Sequence, residues 1–170
     1  MSSVDYQRPS KLYRYSDQLR LERSLTLGEF RLRPPIEGLQ IQSLHHGRTA
    51  IQLLTLSLCS TFNASLFATF GDNDCCLVIN NPEEFGERVH RAAQRMLPNW
   101  AGIDGAISYG KQSPLGTAFT KTQLEASQNE WLFAWRPAQP TIALRPVIIQ
   151  IGNIEKIAEL RNRDAKIVTE

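Results

Sequence analysis

The sequence predicts an α+β domain with a mainly antiparallel mixed sheet and a few flanking helices. Three observations carry this reading. Several segments alternate apolar and polar residues with the period of a half-buried strand. One long segment, 82–97, repeats with the period of a helix. The strands outnumber the helices and do not alternate regularly with them, as a doubly wound fold requires. The chain has 170 residues, 42% hydrophobic and 21% charged, which is the size and composition of one globular domain. Residues 1–170 are therefore read as a single domain, with 1–10 and 162–170 as flexible ends.

Lys11–Tyr15 (KLYRY) reads as a short strand. Ser16 is placed to cap a helix running to about Thr26, with Leu19, Leu21 and Leu25 along it and Gly28 as its stop. Glu29–Arg33 alternates Phe30 and Leu32 against three charges, and Pro34-Pro35 ends it. Residues 36–48 carry no clear period. Ala50–Cys59 reads as a buried strand, with a helix as the alternative, and Asp74–Ile79 as a second apolar strand. Asn81 caps the clearest helix, Pro82 takes its first position, and Glu83 and Glu84 face its positive end. Phe85, Val89, Ala92, Ala93 and Met96 form its apolar stripe. Gly105–Tyr109, Glu130–Arg136 and Pro146–Ile151 complete the strands. Strands 12–15, 29–33, 130–136 and 147–151 are expected in one sheet, and Gly152-Asn153 is expected to open a last helix carrying Ile154, Ile157, Ala158 and Leu160.

Several function classes find no support. The net charge of +2 is too small to argue for nucleic acid. Arg14, Arg20, Arg23, Arg31 and Arg33 cluster, but Asp17, Glu22 and Glu29 interleave with them. Cys59, Cys75 and Cys76 lie among apolar residues without a CxxC spacing, so they read as buried thiols of a reducing compartment. No basic-then-apolar leader opens the chain, and no apolar run approaches the ~20 residues of a membrane span. A cytoplasmic location and no membrane partner are the expectations. No metal is expected either: His45 and His46 are adjacent and cannot share a face, and His90 reads as a helix-surface residue.

The sharpest constellation is Ser127–Trp131. If 128–136 is a strand, Gln128, Glu130, Leu132 and Ala134 share one face, while Trp131, Phe133 and Trp135 fill the other. Gln128 and Glu130 would then stand about 7 Å apart. An amide beside a carboxylate suits a sugar hydroxyl and an oxocarbenium-like centre, the chemistry of breaking a nicotinamide–ribose bond. Arg14 lies on the strand face opposite Tyr13 and Tyr15, and its planar fork suits a pyrophosphate. Ser60-Thr61 ends the middle apolar run with hydroxyls that suit a ribose. Each of these also has a structural explanation: a strand carboxylate in water, a paired surface arginine, a turn built with Asn63.

An arginine strand first, a Ser-Thr strand in the middle and a Q-x-E strand late resemble the order of the Arg-Ser-Glu class of ADP-ribosyltransferases. The chain is also similar to a large uncharacterised bacterial family, through LYRYS at 12–16, LCS at 58–60, CLVI at 76–79, Lys121, NEW at 129–131 and IIQIG at 148–152. The resemblance implies an ADP-ribosyltransferase-like fold with NAD as substrate and a protein or nucleic-acid acceptor, in the setting of a bacterial toxin, effector or phage-conflict protein. It implies Glu130 as catalytic carboxylate with Gln128 as its helper. Arg14, Ser60 and Tyr15 would hold the dinucleotide, with Tyr15 or Phe62 stacking on the nicotinamide. The chain departs from the bacterial family at Leu132, where an arginine is usual, and at Leu66–Phe70, where that family carries a Trp-His-Tyr cluster. These departures favour a second reading, a non-catalytic protein-binding module (an inhibitor, immunity or regulatory protein) on the same fold.

Overall fold

The computed structural model describes residues 7–35, 52–71, 73–141 and 144–163. In chain order its strands are β1 Leu12–Ser16, β2 Glu29–Leu32, β3 Leu54–Cys59, β4 Cys75–Ile79, β5 Trp100–Ala106, β6 Ser108–Tyr109, β7 Thr120–Lys121, β8 Glu130–Pro137, β9 Val147–Gln150 and β10 Ala158–Asn162. Its α-helices are α1 Gln18–Leu27, α2 Leu66–Thr69 and α3 Pro82–Met96. Six strands form one sheet in the order β10-β4-β1-β3-β8-β5, with every neighbouring pair antiparallel. The mixed α+β class and the mainly antiparallel sheet are as the sequence predicts.

Alternation along the strands divides the interior in two. On one face Leu12, Leu54, Leu56, Leu58, Leu77, Ile79, Trp131, Phe133 and Trp135 form the main core. α3 covers it with Phe85, Val89, Ala92 and Ala93, and α1 with Leu21. The opposite face carries two smaller clusters. α2 sets Leu66 and Phe67 on Tyr15, Cys76 and Val78. The segment after β5 lays Ile107 and Phe119 on Leu132 and Ala134. Ser57 and Glu130 belong to this second face by strand parity. All three cysteines are free and buried, as expected.

Four expectations need correction. First, β2 and β9 pair with each other in a separate two-stranded sheet rather than joining the main one. They still supply Phe30, Leu32 and Ile149 to the main core. Second, the expected C-terminal helix is a turn followed by a strand. Asn153 Oδ1 accepts the Glu155 N–H, Ile157 N donates to Ile154 O, and Ala158–Asn162 then pairs with β4. Ile154 and Ile157 are three residues apart because one turn carries both to the core; Ala158 and Leu160 follow the period of a strand. Third, the cap of α1 is Asp17, not Ser16: its side chain accepts the Arg20 N–H. Fourth, the strand expected at 105–109 is two: β5 begins at Trp100 and ends at Ala106, and Ser108–Tyr109 pairs with β7 in parallel in a separate sheet. Residues 36–48 and the His45-His46 pair lie outside the described residues.

One glycine at a crossover is set by geometry. Gly28 ends α1 in the left-handed region at φ 66°, and an added Cβ would stand 2.1 Å from the Gly152 carbonyl oxygen. Its own carbonyl accepts the Ile151 N–H. Gly28→Ala combines left-handed strain with a backbone clash, so we expect a loss of about 2 kcal/mol or more. Urea unfolding checks it; a loss under about 0.5 kcal/mol would show that the α1 end can move away from the 150–154 loop without cost.

Candidate functional site

Glu130 opens β8 and is buried, with 5% of its surface exposed. A charged residue this deep requires partners, and the fold provides them from three elements. Ser57 sits opposite Leu132 in the β3–β8 ladder, one diagonal step from Glu130 on the same face, and its Oγ donates to Oε1 at 3.0 Å. Lys121 on β7 brings its ammonium to 2.5 Å from Oε2. This is the charge pairing of the buried Oε2. The Tyr109 hydroxyl accepts the Glu130 backbone N–H at 2.8 Å. Cys59, paired across from Glu130, has its thiol pushed up to about 12, first by burial and then by the nearby carboxylate. It is not a nucleophile at neutral pH.

Arg14 reaches the backbone of the same strand, β3. β1 and β3 pair only at Tyr13–Cys59, and further along β3 pairs with Arg33 through Thr55. Between these two contacts the Ser57 carbonyl accepts Arg14 Nη1 at 3.0 Å. Burial, with Arg33 and Arg20 nearby, lowers the Arg14 guanidinium to about 10. Ser57 thus joins Arg14 through its carbonyl and Glu130 through its hydroxyl. By strand parity, however, Arg14 lies on the face of Leu12 and Leu77, and Glu130 on the opposite face with Ser57 and Tyr15, so the two side chains do not share a cleft on one face of the sheet.

The other expected residues fare differently. Gln128 is not on the strand. It ends a 3₁₀ segment, Gln123–Gln128, and Asn129 follows in the left-handed region at φ 44°. The expected side-by-side amide and carboxylate is therefore not formed by the strand period, because the chain turns between them. Ser60 follows β3 and its N–H donates to the Asn129 carbonyl, which places it beside the start of β8. Ser57, three residues earlier, is the serine that touches Glu130. Tyr15 is buried at 7% exposure, its ring packed on Phe67 and Phe70 and its hydroxyl accepting the Asn63 N–H. Tyr13 and Phe62, both half-buried, present more aromatic surface.

A second charged cluster, unmarked in the sequence reading, lies under α3. Asp104 on β5 accepts Arg8 Nε at 2.8 Å and Nη2 at 2.9 Å, meets His90 Nε2 at 2.8 Å, and accepts Trp131 Nε1 at 2.9 Å. Burial alone would raise the Asp104 carboxyl, but the His90, Arg8 and Trp131 donors outweigh it and hold it well below the usual carboxylate range. Gly86 makes room for this: a Cβ there would stand 2.5 Å from Arg8 Cζ. His90 is thus a partner of Asp104 rather than a free surface residue, and Arg8 anchors a segment expected to be loose. A bidentate guanidinium on a saturated carboxylate is the geometry of a fastener.

Among the described residues no group of three or more His, Cys, Asp or Glu side chains is placed to hold a metal. No described helix is long and apolar enough to cross a membrane. No family model, curated protein or solved structure matches the chain.

Proposed function

We propose that this chain is an ADP-ribosyltransferase-like, NAD-cleaving domain in which Glu130 is the catalytic carboxylate. The observation that supports the reading is the buried Glu130 carboxylate at the start of the late strand, held by the Ser57 hydroxyl from the middle strand. The chemistry follows from the charge. The C–N bond between nicotinamide and ribose breaks, and its electron pair leaves with neutral nicotinamide. Positive charge develops at the anomeric carbon, where a fixed carboxylate in a low-dielectric setting stabilises it. An acceptor oxygen or nitrogen, or water, then bonds to that carbon and releases its proton to solvent. Ser57 orients the carboxylate, and Tyr13 or Phe62 offers a face for the nicotinamide ring. Gln128, Tyr15 and Arg14, the last on the opposite face of the sheet, have no part in this form of the proposal.

A non-catalytic binding module is the second reading, favoured by the ammonium that neutralises Glu130 at 2.5 Å. One experiment separates the two. Nicotinamide release from NAD is measured for the wild type, Glu130→Gln, and Glu125→Gln as a nearby acid outside the site. We expect Glu130→Gln to lower release at least 100-fold, about 2.7 kcal/mol in barrier, with Glu125→Gln unchanged. NAD at a hundred times its dissociation constant should also stabilise the fold by about 2.7 kcal/mol. Equal release by wild type and Glu130→Gln ends the transferase reading. Neither release nor a thermal shift in the wild type selects the binding module.

A further inference from the structure

We infer that Lys121 is a displaceable counter-ion, and that the site takes a ligand whose phosphate draws its ammonium away from Glu130. The inference rests on reading the Glu130 strip as a ligand site and assigns that site a ligand class. The two partners are unequally placed. The Glu130 side chain is 6% exposed and held by Ser57 and by its own strand; the Lys121 side chain is 25% exposed and stands on a two-residue strand. If the pair opens, the lysine is the partner with a path to water. A second anion entering from the exposed side can take the carboxylate's place as the lysine's partner.

The other cation in contact with Ser57 lies on the opposite face of the sheet and is less suited to the task. Arg14 donates to the Ser57 carbonyl where β1 and β3 diverge, and leaving would strip that carbonyl of its partner. Lys121 is then the cation that can serve a ligand. A compact ammonium on a flexible stem binds phosphate as a point charge and tolerates such movement. The exchange has a functional consequence. With Lys121 in place the carboxylate is neutralised and cannot favour a cationic centre; with Lys121 on a phosphate it is uncovered. A phosphate-bearing substrate thus activates the site as it binds, and a neutral nucleoside does not.

The probe is inorganic pyrophosphate, titrated calorimetrically at low ionic strength into the wild-type protein, Glu130→Gln and the double variant Lys121→Met/Glu130→Gln. The double variant removes both charges together, so no lone buried charge threatens its fold. We expect Glu130→Gln to bind pyrophosphate at least tenfold more tightly than wild type, since the lysine no longer has to leave an anion. We expect the double variant to lose that binding. Glu130→Gln binding no more tightly than wild type, or the double variant binding as well as Glu130→Gln, would overturn the inference. Nicotinamide release by the wild type is measured in parallel. The pyrophosphate pattern without release keeps the Lys121 site and removes the cleavage chemistry; release without the pattern does the reverse.

Discussion

Asp104→Ala is expected to destabilise the protein by about 3–5 kcal/mol, the usual loss when one partner of a buried charged network is removed. The side chain is 9% exposed and serves four donors from three parts of the fold: Arg8 before β1, His90 on α3 and Trp131 on β8. Alanine removes this acceptor from all four in a space shaped by Gly86, leaving the Arg8 guanidinium with Glu83 alone. The indole N–H and the guanidinium cannot both turn to water from beneath the helix. Urea unfolding at neutral pH measures the loss. A value below about 1 kcal/mol would mean that the cluster forms on a surface already held by the apolar core.

The same carboxylate sets a pH dependence. Its folded-state value is depressed relative to the unfolded chain, near 3.9. The unfolded state therefore takes up the proton first as pH falls, and stability drops. The contribution is fully present above about pH 5 and is lost progressively below it. Asp104→Asn removes the charge and keeps the shape, so its stability gap from wild type should be large at pH 7 and shrink toward pH 3. A gap of constant size across that range would assign the loss to packing rather than to charge.

This cluster also shows where sequence reasoning stops. Asp104 lies in Trp100–Ala106, where two glycines and two alanines give no strong strand period. Its partners are 96, 14 and 27 residues away in the chain, so nothing local marks the site. By contrast α3 was legible in its bounds and through Ala93, because Asn81, Pro82, two acids and the apolar stripe point the same way; Met96, expected in that stripe, is 56% exposed beyond the edge of the core. The alternation of Trp131, Phe133 and Trp135 against Leu132 and Ala134 was legible for the same reason. Glu130 could be picked as a strand carboxylate, but the choice between Ser57 and Ser60 depends on a register that only β3–β8 pairing defines. Gln128 was misplaced because the strand period was carried through Asn129. Asparagine tolerates the left-handed region, and it was the local signal that the strand begins only after it. At the C-terminus, apolar spacing fitted a helix, while the edge of β4 offered a row of backbone partners that drew 158–162 into the sheet.

The largest effect expected at Glu130 itself comes from its partner. Lys121→Met should cost about 3 kcal/mol, the lower end for breaking a buried pair, because a quarter of the lysine side chain already meets water. It leaves the carboxylate in the interior with the Ser57 hydroxyl as its one side-chain donor among the described residues. Glu130→Gln should cost less, about 1 kcal/mol, since the amide keeps the Ser57 bond and the freed lysine can reach solvent. The double variant should then be more stable than Lys121→Met alone, by about 1–2 kcal/mol, because no lone charge remains. Urea unfolding of the four proteins gives the coupling directly. If the two single losses simply add, Glu130 does not depend on Lys121 in the folded state, and the ammonium is a passing neighbour rather than its counter-ion. A non-additive cycle, with the second substitution relieving the first, is what a buried carboxylate held by one movable cation requires.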